Sequence, residues 1–334
     1  MPNAAQSTGV ARARRLGYVS LFFIFNVAAV TAALLVGLTP RGAWACACGC
    51  GVFEVGTASM FPAGQGGMAW LEYDFQDQNR NWSGASQAPS ANNGDKELTT
   101  SFFTAGMQYM FNRSWGVEAE IPYWDRSFKT DLNFGNSPPD VVRTTWNQVG
   151  DVRLRGIYTG FSDDLSAGIT FGVKLPTGNY QFNPSVVDRD SQVGSGSTDL
   201  LLGAYKRGNI TDDGMWSWFG QTQFDQPVLT QDGYRPGTEL DTAFGLVHMG
   251  WTFGDLTVTP IGEAIVSLRT RDSGPNSAQP LASGFQRLLL APGVEFDYKD
   301  VAFYADVEVP VLQNFTGNQL AAPVLFKAVL SVKF

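Results

Sequence analysis

The chain of 334 residues carries 24 Phe, 9 Trp and 10 Tyr, 37 glycines, a single histidine, and 23 basic against 31 acidic side chains. Its net charge of −8 falls to −12 when an N-terminal segment with four basic and no acidic residues is set aside, leaving 19 basic against 31 acidic, so nucleic acid is disfavoured as a partner. Beyond residue 45 no apolar run is long enough to cross a membrane as a helix, and helical periodicity is scarce, which excludes a helical-bundle membrane protein.

Residues 1–45 combine Arg12, Arg14 and Arg15 with an apolar run over 16–38 and the triplet Ala43-Trp44-Ala45. A charged start, an apolar centre and small residues flanking the break predict a cleaved signal peptide. The apolar run exceeds the usual length of such a centre, so a retained membrane helix is the alternative. Residues 46–65 form a separate segment ahead of the fold. Its thiols Cys46, Cys48 and Cys50 alternate, and thiolates in a Gly/Ala stretch can converge on a soft metal such as Cu(I) or Zn. The spacing differs from the C-x2-C pair of ordinary zinc modules. An odd thiol count in an oxidising compartment equally fits a redox-active or intermolecular thiol, with a periplasmic partner at the N-terminus. A lipid anchor on Cys46 fits poorly beside Trp44, and a leader with no specific chemistry remains open. Residues 52–64 are apolar and punctuated by Gly and Pro, which suits either a short plug in a barrel mouth or an unstructured lead-in.

From residue 66 onward, short alternating segments are separated by polar stretches rich in Gly, Asn, Asp and Pro. This is the signature of an outer-membrane barrel. Twelve strands are predicted near 66–76, 98–111, 114–124, 147–159, 165–176, 197–207, 215–225, 238–251, 255–269, 286–298, 301–311 and 322–334. The connections alternate between short and long, as periplasmic turns and extracellular loops do. An even count puts both ends of the barrel in the periplasm. The fold class is therefore all-β, a single antiparallel transmembrane barrel of about twelve strands over 66–334. A soluble β-sandwich is the bland alternative, but it has no need of long loops on one side only.

The faces follow from period-2 alternation. Val301, Phe303, Ala305, Val307, Val309 and Val311 are expected to face lipid, as are Leu165, Ala167, Ile169, Phe171, Val173 and Leu175. Trp115, Tyr158, Trp251 and Tyr298 fall at periplasmic strand ends, where an aromatic girdle belongs. The last strand alternates Val324, Phe326, Ala328, Leu330, Val332 and Phe334 against a mixed face, and it ends on a free aromatic residue in the manner of an outer-membrane assembly signal. The inward set is charged. Glu118, Glu120, Arg153, Arg155, Lys174, Glu263, Arg287, Glu295, Asp306 and Glu308 are the candidate selectivity residues, because buried charges need partners or water. Mixed signs imply either a bracing ion network or a hydrated passage for a small solute, and twelve strands make that passage narrow.

No catalytic site is expected. The sole histidine, His248, takes a lipid-facing phase, and the residue two places along is Gly250 rather than a nucleophile it could activate. Paired carboxylates such as Asp306 and Glu308 share a face only because every i, i+2 pair in a strand does.

Several pieces resemble the outer-membrane family assigned to the meta-cleavage pathway of phenol degradation. They are Gly150-Asp151-Val152-Arg153-Leu154, Gly172-Val173-Lys174-Leu175-Pro176-Thr177-Gly178 and Thr198-Asp199-Leu200, with strand-ending prolines at Ile121-Pro122-Tyr123 and Val309-Pro310-Val311. The resemblance spans roughly 100–334 and implies a transporter of small aromatic or hydrophobic molecules in the outer membrane. The cysteine triplet lies outside that pattern. The alternative function is a plugged barrel that binds a metal- or redox-linked partner through the thiols, with the loops at 77–97 and 177–196 as further partner sites.

Overall fold

The computed structural model describes residues 60–62, 64–277 and 280–334. Twelve strands wind antiparallel into a closed barrel. In chain order they are β1 (Gly66–Gln78), β2 (Asp95–Met110), β3 (Trp115–Asp131), β4 (Val141–Val149, resuming as Val152–Tyr158), β5 (Ala167–Leu175) and β6 (Ser197–Asn209). The remainder are β7 (Trp216–Thr230), β8 (Glu239–His248, resuming as Trp251–Phe253), β9 (Leu256–Arg269), β10 (Phe285–Tyr298), β11 (Val301–Ala321) and β12 (Leu325–Lys333). Each strand pairs with the next, and β1 pairs with β12 from Met68↔Lys333 to Gln76↔Leu325, which closes the sheet. Closure leaves no free edge, so every strand can satisfy its backbone groups within the wall. The cysteine triplet and the signal segment lie outside the described residues.

Alternation places the predicted outward side chains on the outer surface. Leu71, Phe103, Phe244, Leu290, Phe303 and Leu330 are exposed there, while their neighbours along the strands turn inward and are buried. Trp115, Trp251 and Tyr298 are exposed near the turns on one rim, and Trp115 packs on Tyr158 with ring centroids 4.7 Å apart. His248 sits in the same girdle, edge-on to Trp216 at 4.8 Å and tilted against Trp251 at 5.9 Å. An apolar belt edged by aromatic rings on a closed barrel is the surface that lipid requires. The chain is an outer-membrane β-barrel.

Three expectations need correction. The predicted connection 125–146 is largely strand, since β3 runs on to Asp131 and β4 starts at Val141. Leu165 does not face lipid: it is buried, has φ 56°, and precedes β5, which begins at Ala167. The predicted loop 312–321 is strand. β11 runs on to Ala321, so its connection to β12 is only residues 322–324 and the short–long alternation fails there. The reason is that above the membrane alternation no longer has to separate lipid from lumen. Gln313, Asn314 and Gln319 are polar, yet their backbone ladders continue onto β10 and onto a small strand at Arg80–Gly84.

The interior is asymmetric. On the side of β8–β12 the inward residues Ala243, Ile265, Leu289, Ala291, Ala322 and Leu325 form a buried apolar cluster. The side of β1–β7 carries most of the inward charge and borders the principal cavity.

Candidate functional site

The cavity, about 220 Å3, is a chamber bounded on the periplasmic side by residues 60–62 and on the extracellular side by the loop 177–196. Three features make it a site: a ring of ion pairs, an apolar stopper and a hydrogen-bonded lid.

The ring follows from register. Cross-strand pairing sets Glu118 against Arg155, Glu120 against Arg153, Arg153 against Lys174, and Lys174 against Asp199. Arg155 Nη1 lies 2.7 Å from both Glu118 Oε1 and Glu120 Oε2, and Arg153 Nη1 lies 4.0 Å from Glu120 Oε2. Lys174 Nζ is 3.1 Å from Asp225 Oδ2 and also pairs with Asp199. Paired charges of both signs reduce the cost of burial, which isolated ones could not. Glu118, Glu120, Arg153, Arg155 and Lys174 all line the chamber.

The other five expected residues point inward but lie behind it. Glu263, Arg287, Glu295, Asp306 and Glu308 are buried in the wall on the β9–β11 side. Tyr304 Oη lies 2.8 Å from Asp306 Oδ2 and 3.1 Å from Glu263 Oε1, and the Arg287 guanidinium sits 3.9 Å over the Phe285 ring. Inward phase alone does not place a side chain at the passage. Which side of the lumen is packed decides that.

The stopper centres on Phe61. Its ring stacks on Tyr205 at 4.6 Å and meets Phe219 edge-on at 5.6 Å. Met68, Trp70, Ile261, Tyr304 and Val329 complete a buried cluster drawn from β1, β6, β7, β9, β11 and β12, so Phe61 ties strands far apart in the chain together inside the lumen. Gln108 Nε2 donates to the Met60 carbonyl at 3.0 Å, and Arg207 Nη2 donates to the Pro62 carbonyl at 3.3 Å. The rings can lie flat because glycines face them across the ladder. A Cβ at Gly106 would stand 2.0 Å from the Trp70 ring, and one at Gly245 would stand 2.0 Å from Phe219. The plug reading of the residues before β1 therefore holds for the described 60–62.

The lid is the loop 177–196, which folds into the lumen instead of projecting outward as a partner site would. It covers a break in the wall. Pro122 has no N–H to offer β4, and the β3–β4 ladder stops opposite Gly150 and Asp151, where Gly150 N donates to Pro122 O at 2.8 Å. The Asp151 carboxylate accepts from Gly178 N at 2.9 Å and from Ser195 N at 2.8 Å, and it also accepts from the Ser195 hydroxyl. Thr177 Oγ1 donates to Gly150 O at 2.8 Å. Arg126, with its guanidinium 4.5 Å over the Trp124 ring, donates to the carbonyls of Ser191 and Gln192. Arg189 is sandwiched between Tyr180 and Tyr234 at 4.5 and 4.4 Å. Val187 and Val193 join Leu98, Phe128, Trp146 and Leu320 in an apolar cluster beneath. Burial pushes the Asp188 carboxyl up from 3.8 to about 6.

Sequence reading missed Asp151 as a hub, although it lies in one of the family-like pieces. Gly150-Asp151, Thr177-Gly178 and Gly194-Ser195 meet at this single point. Among the described residues no group of three or more His, Cys, Asp or Glu side chains is arranged to hold a metal ion.

No protein-family model matches the chain, and no curated protein matches it. Solved structures do. An outer membrane channel from Pseudomonas putida F1 matches at a TM-score of 0.57 and 11% identity, over 84% of this chain and all (100%) of that one. Weaker matches include the β domain of the Bordetella autotransporter BrkA, at a TM-score of 0.45 and 12% identity over 81% of this chain and 100% of that one. The monoaromatic hydrocarbon channel CymD matches at 0.39 and 8% identity, over 81% and 89% respectively. At such identities the first likeness is one of fold, and the others carry no argument.

Proposed function

We propose that this barrel is a passive channel for a small solute across the outer membrane, with the chamber as its point of selection. The observation that carries the reading is the chamber itself, about 220 Å3 of space held between a stopper and a lid and walled by ion pairs. A barrel braced for structure alone has no use for a void lined by charge. The volume suits one aromatic ring, since cavities of about 150 Å3 hold benzene. The Phe102 and Trp124 rings, 4.9 Å apart and edge to face, give it an aromatic wall. That wall, together with the family resemblance, favours an aromatic or otherwise partly apolar solute.

Planar-bilayer recording tests the reading. The wild type is expected to show discrete but small conductance, and Glu118→Gln with Glu120→Gln is expected to reduce cation preference. Silence of the wild type and of a stopper variant toward ions and small aromatics alike would end it in favour of a plugged platform. A soft-metal role for Cys46, Cys48 and Cys50 stands as a separate proposal. Equal metal content in the mature protein and in its triple Cys→Ser variant would dispose of it.

A further inference from the structure

Two glutamines of the chamber wall have structural tasks. Gln108 holds the stopper through the Met60 carbonyl at 3.0 Å, and Gln192 holds the lid through the carbonyls of Phe182 and Val187 at 2.9 and 3.1 Å. Gln223 has no such task. It lines the chamber from β7 and is 5% exposed, yet its buried Nε2 donates to no described residue. An amide stripped of water and left unpaired is costly, and it gains most from a partner that arrives with the solute.

Register builds a notch beside this amide. Thr170 of β5 pairs with Gly203 of β6, and Gly203 pairs with Gln223 of β7, so the three share one inward row. The neighbours lean in over the glycine. A Cβ at Gly203 would crowd Thr170 Oγ1 and stand 2.9 Å from Gln223 Oε1. Two hydrogen-bonding groups thus converge over bare backbone, which only a residue without a side chain allows. Thr170 lines the chamber as well, and the buried Ile157, directly across the β4–β5 ladder from it, adds an apolar wall. Along β7 the notch lies between Phe219 of the stopper and Asp225, whose carboxylate is 3.1 Å from Lys174 Nζ.

Resting on the channel reading, we propose that Thr170 and Gln223 form a specificity subsite for the neutral hydroxyl group of a small aromatic solute. The charges adjoining the notch, Lys174 and Asp225, are paired with each other, so an ionic group would give up its water there for no free counter-charge. A hydroxyl can accept from the Thr170 hydroxyl and donate to Gln223 Oε1, which a methyl group cannot. If the amide is turned over, Nε2 donates to the solute hydroxyl and Thr170 accepts from it, so the match survives either orientation. A solute without the hydroxyl leaves the amide unpaired, the situation in which a hydrogen-bonding site discriminates most sharply. Ile157 and the Phe102–Trp124 wall of the same chamber offer apolar surface to the ring.

The test uses benzyl alcohol, toluene and benzoate at pH 7 as blockers of potassium current, in the otherwise wild-type chain or in Phe61→Ala where the stopper limits current. Effects of a probe on the bilayer itself are common to all variants, so each probe is compared between variants. Gln223→Leu is expected to raise the half-blocking concentration of benzyl alcohol about tenfold, while toluene and benzoate do not weaken. Thr170→Val, which exchanges only a hydroxyl for a methyl, should raise it about threefold. Heat-modifiable gel mobility checks folding, and Thr170→Val decides the matter if Gln223→Leu does not fold. No block by benzyl alcohol, an equal shift for toluene or benzoate, or no shift in the folded variants overturns the proposal while leaving the channel standing. If neither the wild type nor Phe61→Ala conducts, the channel reading falls and the same comparison is made by calorimetry on the detergent-solubilised barrel. Benzyl alcohol binding weakened selectively in the variants then supports the subsite. Absent or unchanged binding rejects it.

Discussion

The two ends of the lumen are closed by different physics. At the periplasmic end Phe61 is buried among Tyr205, Phe219 and a ring of apolar side chains, and only the backbone of its neighbours is hydrogen-bonded. At the extracellular end the loop 177–196 is held mainly by donors and acceptors converging on Asp151 and Arg126. Water can take over hydrogen bonds as a loop lifts away, so the net cost of opening is modest. It offers nothing to a phenyl ring drawn out of an apolar layer. One end is thus held by contacts that water can replace and the other by contacts that it cannot, and under the channel reading the apolar stopper is the closure expected to control passage.

The sharpest way to break this comparison is Phe61→Ala. Emptying a buried phenyl site costs about 3–5 kcal/mol, and here the loss falls on closure of the periplasmic end. Conductance is expected to rise severalfold, while Phe61→Leu, which keeps most of the apolar volume, should stay near wild type. An unchanged conductance in Phe61→Ala would mean that the lid, not the stopper, limits flow.

Next in size is Asp151→Ala. It strands the Gly178 and Ser195 donors, at about 1–3 kcal/mol for each one left unsatisfied. The lid is expected to become cleavable by protease added to intact cells, with the barrel still folded. Asp151→Asn should do about half the damage, because its amide NH2 cannot accept from a backbone N–H. Full protection of the loop in Asp151→Ala would show that the apolar contacts of Val187 and Val193 hold the lid by themselves.

A smaller effect should come from pH. The Asp188 carboxyl is raised in the packed lid from 3.8 to about 6 by burial. The packed lid therefore binds more protons than the released one between these values. Its extra stability is fully present below pH 4 and is lost as pH rises through about 6. Hydrogen-exchange protection of 177–196 is expected to fall over that window in the wild type and to stay flat in Asp188→Asn. The stopper at residues 60–62 should show no such dependence. The smallest expected effect is at the rim, where Arg113 and Asp163 pair at 2.6 Å with both side chains well exposed. Asp163→Asn should alter neither conductance nor thermal stability, since exposed pairs contribute little. A measurable shift would mean that the periplasmic turns brace the stopper.

What the sequence by itself determined is what lipid imposes locally. A wall between lipid and lumen forces period-2 alternation, so twelve strands, their order, the outward Phe303 and Leu330, the girdle at Trp115 and Trp251, and the lipid phase of His248 were all legible. Where that constraint stops, so did the reading. Above the membrane β11 continued through residues taken for a loop, because ladder bonding there needs no alternation. Tertiary structure alone decided which inward residues meet. Glu118 and Glu308 have the same phase, yet one lines the chamber and the other is sealed in the wall. The insertion of Phe61 and the capture of the lid by Asp151 are cross-lumen contacts between residues distant in the chain. They depend on how the strands stagger on closure and on which side of the barrel fills with side chains, and a pattern that repeats every two residues carries no information about either.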